Sequence, residues 1–152
     1  MAPLQLDRLD GTAFATDPGL LLARANADSI AATNRALAEF GLRVRSYAVL
    51  AAAASAIRPT QRELAEFLRL DPSQVVALVD DLERRGLVRR EVDPADRRVN
   101  AIVATEEGAS LSTLASTAVT EAREHRLAAL TSEELATLTE LLARVVHARP
   151  AE

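Results

Sequence analysis

Residues 60–105 read TQRELAEFLRLDPSQVVALVDDLERRGLVRREVDPADRRVNAIVAT, and their signals run helix, tight turn, helix, strand, charged loop, strand. Thr60 and Glu63 make a T-x-x-E capping box, which starts a helix at Gln61. Leu64, Phe67 and Leu68 fall on one face of that helix. The chain turns at Arg69 and Leu70. Asp71 then offers a side-chain acceptor to the first free amides, Pro72 suits the first helical position, and Gln74 completes a second box-like start. Gly86 ends the second helix, where a residue free to take positive φ is favoured.

At about 100° per residue, Val75, Leu78, Val79 and Leu82 form one arc of the second helix, with Val76 at its margin. Ser73, Gln74, Ala77, Asp80, Asp81 and Arg84 form the other. A helix that enters a DNA major groove needs a first turn small enough to approach base edges, with hydrogen-bonding side chains on it. Ser73 and Gln74 supply these, and the amides of the first turn are placed to meet a phosphate. An ordinary amphipathic core helix fits the same pattern equally well.

The segment after this helix favours the first reading. Residues 87–91 and 99–104 are β-compatible and flank the turn Val92-Asp93-Pro94-Ala95-Asp96-Arg97-Arg98. A ribbon with guanidinium groups near its tip can reach a narrow minor groove, where the negative potential is strongest. Asp96 is near enough in sequence to orient Arg97 or Arg98. A solvated hairpin tip is the plainer alternative, but a helix-turn-helix joined directly to a basic ribbon is rarer by chance than either part.

The run resembles the winged helix-turn-helix of the MarR family of bacterial transcription regulators. The resemblance is carried by Thr60-Gln61-Arg62-Glu63-Leu64-Ala65, by Leu82-Glu83-Arg84-Arg85-Gly86-Leu87-Val88-Arg89-Arg90, by Asp93-Pro94-Ala95-Asp96-Arg97-Arg98 and by Thr105-Glu106-Glu107-Gly108. One departure is Ala104, where the family usually has Leu; it loosens packing under the wing. The resemblance implies a mainly α fold with a small β-wing. It also implies a homodimer bound to double-stranded DNA, and repression relieved by a small aromatic or phenolic ligand.

Composition bounds these expectations. The 152 residues are 49% apolar and only 3% aromatic, which suits one domain of closely packed helices. No apolar run approaches the ~18 residues that span a bilayer, and no signal pattern opens the chain, so a cytoplasmic protein without membrane contact is expected. Without Cys there is no disulfide and no thiol switch. A net charge of −4 argues against a generic nucleic-acid binder. Between residues 84 and 98, however, six Arg face Glu91, Asp93 and Asp96, a local excess of positive charge. All 18 basic residues are Arg, which pairs bidentately with phosphate or guanine.

Elsewhere, residues 1–16 read as a loose arm with an ordered piece around Leu4 to Leu9, and Asp17-Pro18 starts a helix that Gly41 stops. Residues 42–57 read as a buried helix ended by Pro59. Thr105 caps a long helix to about Leu130, and a Thr131/Glu134 box starts a last one to about Ala148. These outer helices, 17–41 and 105–148, carry more apolar surface than a small winged domain (42–104) can cover, so a twofold dimer is expected. The whole chain, 1–152, is read as one domain.

No catalytic set is visible, and the protein is not expected to be an enzyme. His125 and His147 lie on separate helices, and His125 beside Glu121 and Glu124 reads better as a solvated face than as a metal site. No cofactor or metal is expected. Base-edge contacts are assigned to Ser73, Gln74 and Ala77, phosphate contacts to Thr60, Arg62, Arg84, Arg85 and Arg89, and minor-groove insertion to Arg97 or Arg98, with Asp96 beside them. Arg43, Arg45, Ser46 and Tyr47 are candidate ligand contacts; Tyr47 as core with both Arg solvated is an equally good reading. The competing account is a protein-interaction or non-specific DNA-binding module without effector; the acidic net charge keeps the protein-interaction version open.

Overall fold

The computed structural model of the chain describes residues 7–92 and 98–148. Helix α1 (Asp7–Asp10) and a 3-10 turn lead into α2 (Pro18–Leu37), whose first turn is capped by the Asp17 carboxylate accepting the Leu20 N–H at 2.9 Å. A second 3-10 turn (Ala38–Phe40) and Gly41, at φ 62°, end it at the expected place. Helix α3 (Val44–Ala53) begins where the Asn34 side chain accepts the Val44 N–H and the Ser46 hydroxyl accepts the Arg43 N–H. It is shorter than the expected 42–57. The Ser55 hydroxyl donates to the Ala52 carbonyl, and Arg58, at φ 55°, swings the chain into Pro59.

Helix α4 (Gln61–Leu68) and helix α5 (Pro72–Arg84) form the expected pair, and strands β1 (Val88–Val92) and β2 (Asn100–Ala104) form an antiparallel ribbon with Val88 opposite Ala104 and Val92 opposite Asn100. The link before α4 adds to this ribbon, since the Ile102 N–H donates to the Pro59 carbonyl at 2.8 Å and Thr60 bridges Ala101. Of the expected turn at 92–98, residues 93–97 lie outside the described residues. The long helix α6 (Glu106–Arg126) stops earlier than expected, with residues 127–130 turning into α7 (Ser132–His147).

One core binds these elements: Leu37, Val49, Leu50, Leu64, Val75, Val79, Leu82 and Ile102 are buried almost completely. Ala104 packs against it, so the departure from the family's Leu still fills part of the space below the wing. Two apolar side chains near it stand outside the core, Phe67 against expectation and Val76 at the margin where the sequence puts it. Phe67 is 81% exposed, because Ala65 rather than Phe67 completes the buried arc of α4 with Leu64 and Leu68. Val76 lies outside the α5 core stripe and is 42% exposed.

The α5–ribbon segment and the long helix meet at a tight junction. The Thr105 hydroxyl donates to the Gly86 carbonyl at 2.7 Å, and the Thr105 N–H donates to the Leu87 carbonyl at 3.0 Å. Gly108, in the first turn of α6, lies so close that a Cβ there would stand 1.8 Å from the Leu87 oxygen. Only glycine fits without moving backbone. The outer helices are less well covered. α2 packs on α6, but α7 buries no residue, and Leu141, Val145 and Val146 stand exposed along it.

Gly108→Ala should therefore destabilise the protein by about 1–3 kcal/mol or more, as overpacking against rigid backbone does. Thermal or denaturant unfolding reads this directly, and wild-type stability in that variant would mean the junction is looser than described.

Candidate nucleic-acid interface

Three stripes divide α5. Val75, Val79 and Leu82 face the core. Gln74, Ala77, Leu78, Asp81 and Arg85 border a cavity, and Ser73, Val76, Ala77, Asp80 and Arg84 are exposed on the side away from the core. Gln74 does not close the expected box. The Asp71 carboxylate is instead taken by Ser73, whose N–H donates to Asp71 Oδ1 at 2.8 Å and whose hydroxyl donates to the same oxygen. A protein carboxylate thus already occupies the start of α5, where the sequence had suggested a phosphate. These hydrogen bonds, the hydroxyl's first, hold the Asp71 carboxyl below its ordinary range.

The arginines are mostly paired. Arg62 reaches Glu66 at 2.9 Å, Arg84 reaches Asp81 at 2.6 Å, and Arg89 reaches Glu91 at 2.5 Å. Arg85 turns to the cavity side, donating to the Gly41 carbonyl at 3.0 Å, with Asp81 at 3.6 Å. A phosphate contact there, as expected from the sequence, would require Arg85 to leave these partners. Thr60 is also engaged: its hydroxyl accepts the Glu63 N–H at 3.2 Å and donates to the Glu63 carboxylate at 2.8 Å. Arg98 is exposed beside β2, while Asp96 and Arg97 lie outside the described residues.

Sequence reasoning missed Arg90 and Arg58. Arg90, on β1, bonds Asp80 at 2.6 Å and also Glu83, tying the ribbon to α5 and neutralising two of that helix's acids. Arg58 reaches Glu91 at 2.6 Å across 33 positions of sequence. Asp80 and Glu83 do share a helical flank, a legible signal, but their partner's strand register is not. Among the described residues no group of three His, Cys, Asp or Glu could hold a metal ion, and no helix is long and apolar enough to cross a membrane.

The cavity measures about 710 Å³. Ile30 and Asn34 of α2, Arg43, Val44, Arg45 and Ser46 at the start of α3, and the flank of α5 line it. Arg43, Arg45 and Ser46 thus lie together. Tyr47 is not in the lining and packs against the core. Pockets of roughly 300–1,000 Å³ suit small organic ligands, and the apolar Ile30, Val44 and Leu78 beside arginines suit an organic anion.

The sequence profile of the MarR family matches residues 40–99. CouR from Rhodococcus jostii RHA1, in a structure bound to p-coumaroyl-CoA, is 40% identical over 93% of this chain and 100% of its own, with a TM-score of 0.83. A MarR-family transcriptional regulator from Rhodococcus sp. RHA1 is 40% identical over 90% of this chain and 97% of its own, with a TM-score of 0.82. The PcaV transcriptional regulator from Streptomyces coelicolor, in complex with its natural ligand, is 30% identical over 91% and 97% of the two chains, with a TM-score of 0.78.

Glu91 gives this interface a pH signature. Hydrogen bonds from Arg58 and then Arg89 lower its carboxyl below the ordinary 4.5. A depressed folded pKa stabilises the fold above the unfolded value, and that stabilisation is lost as pH falls through the folded one. Glu91→Gln should therefore flatten the fall of Tm below about pH 4.5. An acid limb identical to wild type would show that these contacts do not hold the wing.

Proposed function

This chain belongs to the MarR family of winged-helix transcription regulators, and on that premise we propose that it is a homodimeric repressor of a pseudo-palindromic operator, released by an anionic aromatic ligand. The observation that carries the DNA part is the outward stripe of α5, small at its start and ending in Arg84, with the ribbon attached beside it through Arg90. The dimer part is supported by the uncovered apolar side chains of α2, α6 and α7, among them Leu21, Ile30, Leu114, Leu141 and Val145. Residues 17–41 and 105–148 form the dimerisation part, and 42–104 form the winged part. Two recognition helices related by the twofold axis enter successive major grooves about one turn apart.

In this reading Ser73 and Ala77 meet base edges, with Gln74 at the border between groove and cavity. Arg62, Arg84 and Arg89 exchange their present carboxylate partners for phosphates, and Arg97 or Arg98 enters the minor groove. The effector occupies the cavity at Arg43, Arg45 and Ser46. It acts by favouring a dimer whose recognition helices are wrongly spaced for DNA. The bound p-coumaroyl-CoA of the Rhodococcus relative makes that thioester and its parent acid the first ligands to test.

Selection from a random duplex pool tests the whole reading: a palindromic consensus with half-sites about one turn apart is expected. Salt-sensitive binding without consensus would support a non-specific module instead. Arg98→Ala should weaken binding to all sequences alike and reduce the salt slope by about one unit. An Arg43→Ala, Arg45→Ala double variant should keep operator affinity yet need at least about tenfold more aromatic acid or thioester for release, the loss expected when charged hydrogen bonds of ~1.5–3 kcal/mol are removed. Undiminished release would place the effector elsewhere.

A further inference from the structure

On the outward stripe of α5, Ser73 carries a hydroxyl, a group able to donate or accept, whose polarity a neighbouring carboxylate sets before DNA arrives. A serine hydroxyl has one proton and two lone pairs. Here the proton is committed to Asp71 Oδ1, which also accepts the Ser73 N–H at 2.8 Å. We infer that Ser73 reads DNA as an acceptor only, so that the base opposite it presents an amino donor, adenine N6 or cytosine N4, and never the keto oxygen of guanine or thymine.

The inference rests on the operator-reading function proposed above and adds the chemistry of one base position to it. An ionised carboxylate can only accept, so the shared proton is the serine's. The Asp71 carboxyl is held below its ordinary range, which keeps it ionised at neutral pH. Asp71 and Ser73 are both exposed, so the acceptor pair faces solvent at the tip of the helix. A phosphate at this tip would meet the Asp71 charge and a lone pair, so the tip approaches bases and leaves phosphates to Arg62 and Arg84. One helical turn on, Val76 (42% exposed) and Ala77 present methyl groups, which suit the C5-methyl of thymine. The half-site then reads as an amino donor with a thymine methyl close by, a pattern the major groove distinguishes from every keto alternative.

The test uses the selected operator, with single adenines replaced by purine and single cytosines by 2-pyrimidinone, each of which lacks the amino group. For wild-type protein, one such position per half-site should cost about two- to tenfold in Kd, the effect of one net hydrogen bond. Ser73→Ala should be indifferent to that same replacement, which separates the lost contact from any weakening of the duplex. Ser73→Ala keeps Asp71 as the helix cap, so folding is not at stake. Asp71→Ala, which frees the hydroxyl proton, should accept a keto base at that position. A wild-type position that instead depends on a keto oxygen and loses this dependence in Ser73→Ala overturns the inference and leaves operator reading intact. So does amino-group sensitivity that persists in Ser73→Ala. Wild-type binding that no base replacement alters overturns both.

Discussion

The contact between Gly108 and the Leu87 carbonyl governs the arrangement. It brings the first turn of α6 against the backbone that leaves the recognition helix, with the Thr105 hydroxyl on the Gly86 carbonyl closing the same corner. Backbone against backbone has no rotamers to yield, so α5, the ribbon and the N-terminal end of α6 move as one body. The outward stripe of α5 is therefore aimed by a long helix, and that helix belongs to the part proposed above to pair the subunits.

Electrostatics on that body are arranged by pairing rather than excess. Helix α5 carries Asp80, Asp81 and Glu83, an odd choice for a surface proposed to meet phosphates, yet Arg90 covers Asp80 and Glu83, and Arg84 covers Asp81. The exposed Arg84–Asp81 pair contributes little stability, on the order of 0–1 kcal/mol. The consequence of the pairing is geometric: the guanidinium groups are held in fixed places by partners that a phosphate can displace. An acidic chain can in this way present cations locally without becoming a general polyanion binder.

Much of the fold was legible because its punctuation is local. The Thr60–Glu63 and Thr131–Glu134 boxes, the Asp17 cap with Pro18 and the positive-φ Gly41 and Gly86 all act within a few residues of the ends they set. The departures came where packing, or competition among neighbours, decided the outcome. Phe67 has the spacing of a core residue, but which arc of α4 is buried depends on what packs against it. Gln74 has the position of a box residue, yet Ser73 is nearer to Asp71 and takes the carboxylate. Arg85 reads as basic helix surface until the end of α2 brings the Gly41 carbonyl beside it, 44 positions away in sequence. The cavity itself, assembled from α2, α3 and α5, leaves in the sequence only its cluster at Arg43, Arg45 and Ser46.

Helix α5 is a thin partition. Gln74, Ala77, Leu78 and Asp81 wall the cavity, while Ser73, Val76 and Arg84 stand on the outside of the same few turns. On the proposed reading, sensing and addressing share one stretch of thirteen residues. A lineage adapting to a new inducer by substitutions at 74 or 77 would shift its DNA preference in the same step. Regulator and promoter must then drift together, and transplanting one specificity without the other would call for changes on α2 or α3 alone.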